Sequence, residues 1–204
     1  MKLKITALVA FFTFSFGFAQ QQEVDQETNS AKGITFQHGD MFVEGSIQIS
    51  TGGKEDYYGF NPKFGYFLNN KFAIGAELNY SSEKVKTVYN ETNVFGIGGF
   101  ARYYVLELDK KRFKAYAEAG LGFGNNKVKT DASSTTSNSI TADINVGLNY
   151  FITKNIAATF TLANILSYNS VSPENGPSAN TFQLNINLFE NIFNQPKFGL
   201  LYKF

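Results

Sequence analysis

The 204-residue chain has no cysteine, no tryptophan, one histidine and four prolines. Without cysteine there is no disulfide framework, no thiolate metal site and no lipidated N-terminal cysteine. The single histidine, His38, precedes the patterned part of the chain, which argues against Ser-His hydrolase chemistry built on its strands or loops. No HExxH, CxxC or phosphate-binding loop occurs, so no catalytic, cofactor-binding or metal site is expected. Charged residues are only 17% of the chain and the formal net charge is +1, which leaves no basic patch for a nucleic-acid partner. Past Phe18 there is no continuous apolar run, which excludes a helical membrane protein.

Aromatic residues are abundant: 22 Phe and 11 Tyr. At the N-terminus, Lys2 and Lys4 precede an apolar run from Ile5 to Phe18, and Gly17-Phe18-Ala19 supplies small residues for cleavage. The run is shorter than the ~20 residues of a spanning helix. Residues 1–19 therefore read as a secretory signal peptide cut after Ala19. Residues 20–40 read as a polar periplasmic lead-in with little fixed structure. Residues 41–204 form one domain.

From Met41 onward, apolar and polar residues alternate with a period of two, the signature of strands with two unlike faces. The expected segments are Phe42–Ser50, Tyr58–Leu68, Phe72–Tyr80, Asn93–Val105, Phe113–Gly124, Ile140–Phe151 and Ile156–Ser167, with a last stretch from Thr181 to Phe204. In the fifth, Phe113, Ala115, Ala117, Ala119, Leu121 and Phe123 share one face, and Lys114, Tyr116, Glu118, Gly120 and Gly122 the other. Pro62 marks a bulge or break in the second. Short turns near Asn69, Asp109 and Lys154 alternate with longer polar connections, Ser81–Glu91 and Asn125–Asn138 among them. Aromatics beside the short turns, including Tyr66, Phe67, Tyr103, Tyr104, Phe151 and Tyr202, suggest an interfacial girdle. A single strand from Thr181 to Phe204 would be roughly twice what a membrane needs. It is either one long strand with a bulge near Pro196 or a hidden extra hairpin.

Glycines and charges share one parity against an apolar or small opposite face. This favours a closed antiparallel up-and-down transmembrane β-barrel of eight strands, with ten as the alternative, over a secreted soluble barrel of the lipocalin kind. Glu77, Arg102, Lys114, Glu118 and Asp143 take lumen parity, and Glu44 and Lys63 join them. Buried charges must pair, so Arg102 is expected to meet Glu118 in a plugging charge network rather than an ion path. The glycine runs Gly96–Gly99 and Gly120–Gly124 lie inside strands and read as close-packing positions, not nucleotide loops. Lys84, Lys86, Lys127 and Lys129 tint two loops basic and read as solvated charges able to touch anionic lipopolysaccharide.

The last residues place Phe198, Leu200, Tyr202 and Phe204 on one face. This stretch resembles the C-terminal assembly signal of bacterial outer-membrane barrels, which implies the barrel-assembly machinery as a partner. Gly65–Leu78, Phe100–Tyr104 and Asn149–Ala157 likewise resemble the outer-membrane β-barrel domain family, the OmpA/OmpX-like small barrels, in a style similar to those of Bacteroidota. The resemblance implies residence in the outer membrane, contact with its lipid and lipopolysaccharide, and a monomer. It specifies fold well and function poorly. A structural or interaction barrel without cofactors or enzymatic activity leads. A narrow pore, or a PorT-like accessory of a secretion system, is second.

Overall fold

A computed structural model describes residues 33–87, 90–108, 110, 112–174, 176–185 and 197–204. The expected signal peptide lies outside these residues. The strands are β1 (Met41–Thr51), β2 (Glu55–Phe67), β3 (Phe72–Val85), β4 (Asn90–Leu108), β5 (Phe113–Thr130), β6 (Ser134–Phe151), β7 (Ile156–Pro173), β8 (Ala179–Leu184) and β9 (Lys197–Lys203). All pairings among the described residues are antiparallel. The sheet runs β6-β5-β4-β3-β2-β1-β9-β7-β8, and a β6–β7 pairing closes it into a barrel. Closure removes the open edges that a flat sheet would present.

The barrel has eight staves, because β8 and β9 form one interrupted strand along β7. Asn185 N–H continues the β8 register by donating to the Ile165 carbonyl (2.8 Å), while Lys197 of β9 faces Thr161. The β7 partners of Asn185 and Lys197 are thus only four residues apart. Phe182 and Leu184 are exposed on the outer face like Phe198 and Leu200. The choice between a bulge near Pro196 and a hidden hairpin falls outside the described residues.

The turns at one end, where β1 begins and β9 finishes, are set by side chains. Asn69 Oδ1 accepts hydrogen bonds from the N–H groups of Lys71 (2.8 Å) and Phe72 (2.9 Å), an Asx arrangement that reverses the chain. Thr153 Oγ1 does the same for Ile156 (3.0 Å). We call this the near end. At the far end, two stretches expected as long loops are largely strand. β3 continues to Val85 and β4 starts at Asn90, and β5 and β6 pair as far as Lys129 and Ser134. There both faces are polar, so alternation disappears although the hydrogen-bond ladder continues. β4, at 19 residues, is about 60 Å long at ~3.3 Å per residue. A tilted membrane-spanning strand needs only about 9–11 residues. The polar far halves of β4–β7 therefore extend past the apolar band.

The inside and outside have opposite chemistry. Outward positions carry large exposed apolar side chains, among them Ile47, Phe64, Ile97, Leu121 and Phe198. Inward positions bury Glu44, Arg102, Lys114 and Glu118. A soluble barrel would show the reverse, and a continuous outer band of this kind requires lipid. Pro62 faces Gly45 within a regular ladder to β1, while the ladder to β3 is interrupted at Asn61 and Pro62 and resumes in the same register at Lys63.

Two expectations are corrected at the near end. Phe67, Tyr104 and Phe151 point inward and are buried rather than standing in a girdle. Each is next in sequence to an aromatic that faces outward, and a period of two sends neighbours to opposite faces. The lead-in is also less free than expected. Ile34 and Phe36 are buried in one cluster with Phe67, Tyr104 and Phe151.

Candidate functional site: a charged layer across the lumen

Cross-strand register builds the layer. Glu44 of β1 lies beside Lys63 of β2, and Lys63 lies beside Glu77 of β3. Arg102 of β4 lies beside Glu118 of β5. Opposite charges directly opposed on one face attract, and here that face is the interior.

Arg102 is fully buried and joins the two sides of the barrel. Its Nε and Nη2 donate to Glu118 Oε2 (both 2.7 Å), and its Nη1 and Nη2 reach Glu44 Oε2 (2.7 Å) and Oε1 (3.2 Å). Glu44 is three strands away, so this contact crosses the lumen. The guanidinium plane lies 4.1 Å from the Tyr116 ring centre, with Phe42 and Phe100 also near. Guanidinium is the cation suited to this place, since its planar fork serves two carboxylates while its faces stack on aromatics. Lys63 completes the layer by bonding Glu77 (3.0 Å) and Glu118. Three acids thus share two bases.

Of the expected lumen charges, Glu77, Arg102 and Glu118 meet in this layer together with Glu44 and Lys63. Lys114 does not join it. It is fully buried nearer the near end, where its Nζ bonds Glu107 Oε1 at 2.5 Å. Asp143 stands beyond the layer toward the far end and accepts a hydrogen bond from Asn145. It lines a polar cavity of about 600 Å³ with Asn61, Asn79, Thr141 and Lys197. Lumen-parity glycines leave that space open: a Cβ on Gly122 would lie 2.8 Å from Thr141 Oγ1, and one on Gly120 3.1 Å from Asp143. The C-terminal residues Phe198, Leu200, Tyr202 and Phe204 all face outward, about half exposed.

Glu107 escapes the sequence reading, which ends the fourth segment at Val105. Val105 is an extra residue in the β4–β5 ladder, where Tyr104 faces Tyr116 and Leu106 faces Ala115. This bulge turns Glu107 inward, opposite Lys114. The sequence signal was available: Val105-Leu106 are two adjacent apolar residues, where strict alternation allows one. Of the basic far-end residues, Lys86 is bonded to Asp56 (2.8 Å) and the Gly52 carbonyl (2.8 Å), and Glu91 lies between Lys84 and Lys129 in register.

Comparison with solved structures gives the same architecture at low identity. OprG of Pseudomonas aeruginosa is 12% identical with a TM-score of 0.51, over 82% of this chain and 97% of that one. Neisserial surface protein A is 19% identical with a TM-score of 0.49, over 81% and 96%. The N-terminal barrel domain of Pseudomonas aeruginosa OprF is 18% identical with a TM-score of 0.45, over 82% and 98%. At such identities the OprG likeness bears on fold alone. No curated protein matches the chain. The family model of the outer membrane protein beta-barrel domain matches residues 6–188, most of the sequence. With its apolar outside and ionic inside, the chain belongs to the outer membrane protein β-barrel domain family.

Proposed function

We propose that this chain is a structural or interaction barrel of the outer membrane, with no enzymatic role. Its lumen is plugged by side chains and its projecting far end is offered to the outside for binding. It is exported by a cleaved signal peptide, inserted by the barrel-assembly machinery through its last strand, and held as a monomer among outer-membrane lipid and lipopolysaccharide. The near end is then periplasmic.

The observation that carries the plug is the layer of Arg102, Glu44, Glu118, Lys63 and Glu77, whose ion pairs reach from β1 to β5. An eight-stranded barrel has an interior just wide enough for side chains. Separating Arg102 from its two carboxylates to pass an ion would leave buried charges unpaired, at a cost of several kcal/mol. Planar-bilayer recording of the purified protein tests this. The proposal expects no steady channel from the native chain. A steady channel would favour the narrow pore instead, and co-purification with secretion components would favour an accessory barrel.

A further inference from the structure

The segment before the barrel crosses the near-end mouth and is pinned on both sides. Gly33 N–H donates to the carbonyl of Lys110, in the β4–β5 turn (2.6 Å). At the other side, Gly39 N–H donates to the Phe67 carbonyl (3.0 Å), and Phe67 N–H donates to the Asp40 carbonyl (2.8 Å), at the end of β2. Asp40 Oδ2 also holds Lys203 of β9 (3.0 Å). Gly33 and Gly39 have φ of +77° and +97°, so each anchor takes a backbone conformation that disfavours any residue with a Cβ.

Between the anchors, Phe36 points into the barrel and is 2% exposed. Its ring stacks on Phe67 with centres 4.0 Å apart, and lies 4.7 Å from Tyr104 and 5.9 Å from Phe151. Lys114 Nζ sits 4.6 Å from the Phe36 ring centre on the lumen side. An aromatic side chain therefore lies between the periplasm and the fully buried Lys114.

We infer that residues 33–40 are a strap whose Phe36 stoppers the periplasmic mouth, a second seal in series with the charged layer. Withdrawal of the strap opens the lower lumen around Lys114 to the periplasm. Entry from the periplasmic side is thus set by the seating of one side chain on a short segment with a glycine at each end. The inference rests on the orientation given under the proposed function but not on the charged layer being impermeable.

The absence of cysteine makes the test clean. Ala157 is buried in the Phe36 cluster, and exchange to cysteine adds a single sulfur atom there. The single-thiol chain Ala157→Cys, folded in lipid nanodiscs, is treated with a small charged thiosulfonate. Labelling is expected to be slow, to rise at least about tenfold when Phe36→Ala is added, and to stay slow with Phe36→Leu. Equal rates with and without Phe36→Ala would overturn the inference. Should Phe36→Ala prevent folding, as judged by heat-modifiable migration on gels, Phe36→Trp supplies the second reading. As the sole tryptophan it is expected to emit at short wavelength and resist acrylamide. Long-wavelength emission with free quenching would overturn the strap. Conductance tests the charged layer and labelling tests the strap, so either can fail without the other.

Discussion

Glu107 meets Lys114 at 2.5 Å because Val105 is an extra residue in the β4–β5 ladder. Counting by twos from Tyr103 would send Glu107 to the lipid. The bulge resets the phase, so Leu106 and Leu108 face out and Glu107 faces in. Removing Val105 restores regular alternation from Tyr104 onward without moving any later residue to the other face. A chain lacking Val105 is therefore expected to fold with an unfolding midpoint near that of the native protein. Moving the same deletion to Ala117 reverses the faces of the residues beyond it, and is expected to abolish folding on heat-modifiability gels.

Arg102 compensates two buried carboxylates at once. Replacing it with leucine leaves Glu44 and Glu118 without their main partner, and breaking such a buried pair costs about 3–5 kcal/mol. Urea unfolding in lipid vesicles measures the loss. Lys86→Leu breaks the half-exposed contact with Asp56 and is expected to change stability by less than about 1 kcal/mol.

Leu200 and Leu201 are neighbours with opposite surroundings. Leu201 is buried in the Phe36 cluster, whereas Leu200 is 56% exposed on the outer face. Leu201→Ala empties part of a packed core and should cost about 2–5 kcal/mol. Leu200→Ala exchanges one lipid-facing apolar group for another and should cost clearly less. The same unfolding experiment decides, and equal losses would contradict the assigned parity.

Two glycines separate close packing from open space. A Cβ on Gly147 would lie 2.3 Å from the Tyr116 ring and 2.8 Å from the Phe160 carbonyl oxygen, which is backbone and cannot swing aside. Gly147→Ala is expected to destabilise the barrel by about 1–3 kcal/mol. Gly99 faces outward with only the Gly75 carbonyl oxygen nearby, at 3.5 Å. Gly99→Ala is expected to leave the melting temperature unchanged.

Much of this was legible in the residues. Period-two alternation identified seven strands and their faces, because lipid on one side and a polar lumen on the other impose opposite demands on neighbours. The same rule placed Arg102 and Glu118 on one parity, where register makes them adjacent. It failed where the environment stops differing between faces. Above the membrane both faces are wet, so Lys127 and Thr136 read as loop although they pair. It also failed at Val105, where a bulge resets the count, and at Phe36, whose burial depends on aromatics contributed by β2, β4 and β6. Contacts between residues as distant as Glu44 and Arg102 follow from closure of the barrel, which no local pattern contains.

Apolar residues face lipid and charged residues face inward. Since the chain has no tryptophan, Phe198→Trp and Phe100→Trp each carry a single reporter, one on the outer face and one in the lumen. In vesicles containing brominated phospholipid, the tryptophan at position 198 should be strongly quenched and that at position 100 spared. Quenching at position 100 with protection at position 198 would contradict the account.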